Sequence, residues 1–429
     1  MRHISTGRYG LLVGNVAARV AALGCVFLIT LLLARDGGPA VVGVYALLHV
    51  LPGLLGTVVS SGLPVAAPYF LAGADRDDPR LPSTLVAMAV GGGIAGAALW
   101  IASAPLVGPL LFPDLSVTLV MLAGLAVLSR LITITAKACS QGSEDLPGSN
   151  LVIVAEQCMF LPAYSVLWLV GIHGFAAVVG SLLLADSATS SLAWTRLVRR
   201  NFFPTVTRPS LQLARRVASY GLRAQIGGVM TQLNLRLDFV LLTLLTGPAV
   251  LGVYAVASKF AELLRILSMA LTYVFYPRFA RESRSQAVEG AGRLIPKAAL
   301  FTTAALVPLW ISAGFVIPSF YGSDFASAVT PTRIILVGLA LDGVAGVIAA
   351  YLYGVGRPGL YSIAIAAGLA VTVVLDLLLI PPFETIGAAT ASAMAYMTTG
   401  LALLGIFWWL TRPARAARWE EAIPSVDSG

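Results

Sequence analysis

The sequence predicts an all-α membrane protein of about 12 transmembrane helices, arranged as two pseudo-symmetric six-helix lobes around a central cavity. Three observations carry this prediction. Apolar residues make up 58% of the chain and charged residues only 11%, against roughly a quarter charged in soluble domains. Mean hydropathy is +0.88 over 429 residues, and since a crossing needs about 20 apolar residues, roughly a dozen crossings fit with short loops. A ten-residue segment also recurs midway along the chain.

The apolar stretches fall at roughly 10–34, 41–72, 83–111, 116–140, 150–171, 174–197, 218–245, 249–277, 294–317, 330–354, 359–380 and 386–410. The first follows Arg2 and Arg8, exceeds a signal-peptide core and lacks a small-x-small cleavage site, so it is expected to persist as span 1. Span 2 is too long for one straight crossing. Gly53, Gly56, Gly62, Pro64 and Pro68 predict a bend, which a bundle tolerates by satisfying the freed backbone groups. Spans 3 to 6 follow with short connections. The basic, proline-containing stretch from Arg199 to Arg216 then links an N-terminal lobe, 1–204, to a C-terminal lobe, 205–429, that holds spans 7 to 12 and a short tail.

Arginine and lysine placement sets the orientation. One side collects Arg2, Arg8, Arg76, Arg80, Arg196, Arg199, Arg200, Arg208, Arg215 and Arg216. It also takes Arg278, Arg281, Arg284, Arg293, Lys297, Arg357, Arg412, Arg415 and Arg418. The opposite loops offer Arg35 but mainly Asp36, Asp114, Asp324 and Glu384. A multi-pass protein of the plasma (bacterial inner) membrane with both termini cytoplasmic follows, and an even span count agrees. The 2–3 loop, Asp75-Arg76-Asp77-Asp78, is more acidic than this rule favours.

Gly38-Pro39-Ala40-Val41-Val42-Gly43-Val44-Tyr45-Ala46-Leu47 recurs as Gly247-Pro248-Ala249-Val250-Leu251-Gly252-Val253-Tyr254-Ala255-Val256, with eight of ten positions identical at an offset of 209. The same offset carries Pro68 and Phe70 onto Pro277 and Phe279. The copies begin after spans 1 and 7, so the unit is six helices and the halves are parallel repeats about an axis along the membrane normal. Such halves suit a transporter that opens a shared cleft alternately to each side.

A charge at mid-bilayer costs about 2.5–3.5 kcal/mol on insertion scales, so one kept there usually faces a cavity or a partner. The candidates for binding an anionic substrate are Arg19 on span 1, Arg130 on span 4, Arg223 and Arg236 on span 7, and Lys259 and Arg265 on span 8. Asp238 and Glu262 are candidates for ion coupling or charge balance. Arg19, with Asn15 one turn earlier, either faces a cavity or snorkels to the interface, and Arg223 has the same choice. Lys259, Glu262 and Arg265 lie three apart, so Glu262 can reach both cations; they form either a cavity wall or a self-neutralised packing set. Arg223, Gly227, Asn234 and Asp238 share one side of span 7. Arg130 and Lys137 share a face of span 4, with Lys137 nearer the interface. Glu156, Asp186, Asp342 and Asp376 stand singly.

Excess arginine fits a phosphate-bearing headgroup, which guanidinium grips in bidentate fashion, better than a neutral sugar or a cation. No carboxylate pair, nucleophile motif or phosphate loop indicates an enzyme, and no cofactor is expected. His3, His49 and His173 are scattered. Cys25, Cys139 and Cys158 show no paired spacing, so neither a metal site nor a disulfide is indicated.

At these residues the chain resembles the polysaccharide-transporter branch of the multidrug/oligosaccharidyl-lipid/polysaccharide exporter superfamily. Leu31-Leu32-Leu33-Ala34-Arg35, Gly38-Pro39, Gly43-Val44-Tyr45-Ala46 and Gly62-Leu63-Pro64 are similar to its opening pattern. Asn234-Leu235-Arg236-Leu237-Asp238, Gly252-Val253-Tyr254-Ala255 and Pro277-Arg278 are similar to its second-half signature. Gly354-Val355-Gly356-Arg357-Pro358, Leu379-Ile380-Pro381-Pro382 and Gly387-Ala388-Ala389 look like its C-terminal region. The resemblance implies a V-shaped flippase for undecaprenyl-pyrophosphate-linked oligosaccharide, with cations on helices 1, 2, 7 and 8 meeting the headgroup. Arg19, Arg236, Asp238, Lys259 and Arg265 fall on those helices by position. Two further C-terminal spans, typical of many members, are not expected from the twelve apolar stretches counted above. Expected partners are the lipid-linked oligosaccharide, membrane lipid, and a polysaccharide polymerase or glycosyltransferases, and no nucleic acid. The competing readings are a multidrug/cation antiporter on the same fold, a lipid II flippase, and a non-transport membrane scaffold.

Overall fold

The computed structural model describes residues 3–73, 75–203, 205 and 207–412, with side chains described from residue 14 onward, Val16 excepted. Arg2, Arg415, Arg418 and the side chain of Arg8, all counted on the basic side, lie outside this description. Among the described residues all regular structure is helical. The first half contains α1 (His3–Val59), α2 (Leu63–Ala72), α3 (Arg80–Leu111), α4 (Val117–Ala123), α5 (Leu125–Gly142), α6 (Leu146–Cys158), α7 (Phe160–Leu169) and α8 (Gly174–Arg199). The second contains α9 (Leu211–Thr246), α10 (Pro248–Phe279), α11 (Arg284–Val316), α12 (Val329–Gly338), α13 (Asp342–Gly354) and α14 (Pro358–Thr411). Nine stretches of the described residues are long and apolar enough to cross a membrane.

Two of those stretches are double. α1 contains both span 1 and most of span 2, joined at Gly38 (φ 67°, ψ −162°). α14 contains spans 11 and 12, joined at Glu384 (φ 45°, ψ −120°). The pairs α4–α5, α6–α7 and α12–α13 each make one broken crossing. Span 8 is the 32-residue α10. The protein is therefore an all-α membrane protein of about a dozen crossings. The bend expected in span 2 is sharp and lies between α1 and α2, where Ser61 (φ 51°) and Gly62 (φ 74°) are both left-handed.

The chain folds as two compact units, 1–256 with 316–328, and 257–315 with 329–429. In the first, a core of Leu63, Phe70, Leu81, Leu85, Cys139, Val152 and Leu197 joins α2, α3, α5, α6 and α8. In the second, Phe279, Ile348, Tyr351, Leu403 and Phe407 join α10, α13 and α14.

The two copies of the repeat meet inside the first unit. Gly38 and Gly247 adopt the same positive-φ, extended-ψ turn before proline, at φ 67° and 97°. Beyond them Gly43 and Gly252 cross backbone to backbone. A Cβ on Gly43 would lie 1.7 Å from the Pro248 carbonyl oxygen, and one on Gly252 would lie 1.9 Å from that of Pro39. A second crossing joins the bend to α9, where a Cβ on Gly62 would lie 2.0 Å from the Gly221 carbonyl carbon. Small residues permit such approaches, which is how membrane helices gain packing without a hydrophobic drive between them.

Cys25 and Cys158 form a disulfide with a Cα–Cα distance of 5.3 Å, which the spacing of the cysteines does not indicate. They are 133 residues apart. Packing of α1 on α6 brings them together, which spacing along the chain does not register.

At the arginine-rich ends the acidic 2–3 loop is explained by its partners: Asp75 pairs with Arg216 at 3.0 Å and Asp78 with Arg80 at 3.0 Å. Asp145, buried in the short loop before α6, accepts from the Gly148 amide at 3.1 Å and from Arg196 at 2.7 Å, with Arg200 at 3.1 Å. The Arg196 hydrogen bond, assisted by Gly148 and Arg200, holds its carboxyl below the usual carboxylate range against the opposing effect of burial.

Two predictions follow from this packing. Gly43→Ala should lower thermal stability in detergent by about 1–3 kcal/mol, the usual cost of overpacking, whereas Gly56→Ala, with open space around it, should not. The Asp145 contribution is present above the ordinary carboxylate pKa of about 3.9 and is lost as pH falls through the lower folded value. Asp145→Asn should therefore flatten the acid limb of a stability-versus-pH curve measured below about pH 5.

Candidate functional site

The structure divides the sequence candidates into two sets. Arg19, Arg130, Arg223, Arg236 and Asp238 belong to the first unit, and Lys259, Glu262 and Arg265 to the second.

In the first unit the partners differ sharply in kind. Arg19, half-buried on α1, donates from Nε to Asn15 Oδ1 at 3.0 Å, and Asn15 Nδ2 donates to Asn150 Oδ1 on α6 at 2.7 Å. Two neutral amides thus orient this guanidinium without cancelling its charge. Arg130 instead forms an ion pair with Asp186 at 3.0 Å, the side chains being only 11% and 12% exposed. It also donates to the His49 carbonyl. The carboxylate that stood alone in sequence is therefore the counter-ion of Arg130, supplied by α8. Lys137 pairs with Glu156 at 2.8 Å in the same way.

On α9 the expected polar stripe splits. Arg223 is exposed and donates to Ser219 O at 2.9 Å and Ser219 Oγ at 2.8 Å. Asn234 and Asp238 are buried. Asp238 accepts from the Tyr254 hydroxyl at 2.6 Å and from the Phe239 amide at 2.9 Å. Tyr254 belongs to the second copy of the repeat, so the repeat was the available signal for this contact. Arg236 lies over the Phe239 ring at 5.3 Å, a cation–π geometry.

In the second unit Lys259 donates to both Glu262 oxygens at 3.1–3.2 Å. Arg265 lies over the Tyr396 ring at 5.2 Å and interacts electrostatically with Asp342 as well as Glu262. The Asp342 backbone accepts from Ser268 at 2.8 Å. Tyr396 and Asp342 come from α14 and α13, and no spacing rule links them to α10.

These partners test directly. Arg130→Ala or Asp186→Ala alone leaves a buried charge and should destabilise by about 3–5 kcal/mol. The double replacement should cost less than the sum of the singles, as a double-mutant cycle of detergent melting curves would read.

A family model described as polysaccharide biosynthesis protein matches residues 11–283. An uncharacterized membrane protein of Methanocaldococcus jannaschii is 22% identical over 276 residues, 62% of this chain and 53% of that protein. The chain thus matches about half the length of that relative. Among solved structures, the lipid II flippase MurJ in an inward closed conformation superposes with a TM-score of 0.78 at 14% identity, covering 94% of this chain and 88% of that one. An inward-facing multidrug resistance MATE family transporter of the MOP superfamily gives 0.74 at 15% identity, covering 95% and 96%. A MOP superfamily transporter from Pyrococcus furiosus gives 0.67 at 14%, covering 93% and 94%. At such identities the likeness establishes the fold.

Proposed function

Because the chain belongs to the polysaccharide biosynthesis protein family, and its fold is that of the MOP transporters, we propose that it is a flippase for an anionic lipid-linked oligosaccharide. The substrate is of the undecaprenyl-pyrophosphate type, and the protein carries it across the bacterial inner membrane for cell-surface polysaccharide synthesis by alternating access. The observation that carries this reading is Arg19: a cation on a membrane helix held by Asn15, itself held by Asn150, with no carboxylate partner among the described residues. A pyrophosphate supplies the missing negative charge and bidentate acceptors. A cationic drug would meet repulsion at the same place.

In this scheme the lobes are 1–204 and 205–429, both termini are cytoplasmic, and the glycine crossings at Gly43/Gly252 and Gly62/Gly221 are the contacts that part on opposite sides in turn. Arg236, Lys259 and Arg265 take up the headgroup with Arg19, while Asp238 and Glu262 balance charge or bind a coupling ion. A polymerase or glycosyltransferases would supply or consume the substrate.

Reconstitution in liposomes with labelled undecaprenyl-pyrophosphate-linked oligosaccharide tests the reading through the label's leaflet accessibility. Wild-type protein should accelerate its exchange. Arg19→Gln, Arg236→Ala and Lys259→Ala should each slow exchange about tenfold or more, the loss expected for one charge-assisted contact, at unchanged membrane abundance. No protein-dependent exchange beside an active control flippase would sink the proposal.

A further inference from the structure

α9 carries a stripe that changes chemical character once. Gln212, Arg215, Ser219, Leu222, Ile226, Val229 and Leu233 follow at alternating spacings of 3 and 4 residues, which puts them on one helical face. The first three are polar and exposed. Leu222 and Ile226 are apolar yet 55% and 63% exposed. Arg223 adjoins the stripe, roughly 40° around the helix from Ser219.

Both ends of the stripe border open space. At the polar end a cavity of about 510 Å³ is lined by Gln212, Arg215, Arg216 and Ser219, together with Leu211. Arg216 is engaged by Asp75, but Arg215 has no ion-pair or hydrogen-bond partner among the described residues. At the apolar end Val229 and Leu233 face Leu54 and Val58 on α1 and Trp100 on α3 across a groove of about 340 Å³. Along span 2 that groove lies between the two glycine crossings, its α1 residues falling between Gly43 and Gly62.

We propose that this face of α9 is the docking track for the lipid-linked phosphate, with the headgroup at Arg215 and Arg223 and the polyprenyl tail along Leu222 and Ile226 into the groove. The inference rests on the flippase reading and adds to the candidate Arg223 a second cation, Arg215, and an apolar track for the tail. Length selects the occupant. At 1.5 Å per residue, Val229 and Leu233 lie about 21–27 Å from Arg215 along the helix. With Arg215 at headgroup level, this puts the groove at or past the midplane of a hydrocarbon core about 30 Å thick. An acyl chain of the same leaflet ends there, whereas a longer polyprenyl tail continues.

The experiment uses the full chain in nanodiscs with a polyprenyl pyrophosphate bearing a diazirine in its tail. Photolabelling should map to residues 222–233 and to the facing segments of α1 and α3. Arg215→Gln/Arg223→Gln should weaken binding of the pyrophosphate probe about tenfold or more while leaving labelling by the matching uncharged polyprenol unchanged. Val229→Trp, which fills the groove, should remove the labels at unchanged melting temperature. Phosphatidylglycerol should not compete. Labels elsewhere in wild-type protein, equal competition by phosphatidylglycerol, or unaltered affinity in the arginine variant would each overturn the track. If the liposome assay still shows exchange, the flippase reading survives that failure; if exchange is also absent, both readings fall.

Discussion

Everything in the first unit depends on two backbones touching where side chains would normally keep them apart. The Gly43 and Gly252 crossing is reciprocal: each glycine faces the carbonyl oxygen of the proline that opens the other copy. Gly38 and Gly247 set this up by turning the chain with the same left-handed φ, after which Pro39 and Pro248 start the next helix with no amide hydrogen to leave unsatisfied. The repeat is thus visible as a matched pair of surfaces as well as a matched pair of sequences. With Gly62 and Gly221 at the other end of span 2, the same logic fixes span 2 at two levels, against the start of α10 at one end and against α9 at the other.

Within each unit the charges on the helices are managed locally. Arg130 with Asp186, Lys137 with Glu156 and Lys259 with Glu262 each combine opposite charges inside one unit, which lowers the cost of holding them away from water. Arg19 is treated differently, since Asn15 and Asn150 fix its direction and leave its charge intact. The difference between a neutralised and a merely oriented guanidinium is why Arg19 rather than Arg130 anchors the proposed function.

The sequence made the crossings legible because lipid demands long apolar runs, and the repeat legible because Gly-Pro turns and the Gly-Val-Tyr-Ala segment cannot be replaced without disturbing a backbone contact. It also showed which residues were charged. It did not show their partners. Asp186 reaches Arg130 across 56 positions, Asn150 reaches Asn15 across 135, and Cys158 reaches Cys25 across 133; each meeting is created by helix packing that no local period encodes. The polar stripe read on span 7 divides by burial. Arg223, Asn234 and Asp238 do share a side, but α9 passes from an exposed end into a buried middle, so one face meets two environments.

Spans 11 and 12 are joined by almost nothing. α14 reverses at Glu384, whose positive φ makes the turn, and a Cβ on the nearby Gly387 would already sit 2.1 Å from the Leu379 carbonyl oxygen. A hairpin so short has no slack. At the turn neither arm can slide lengthwise past the other, so an axial shift of one arm carries the turn end of the other with it.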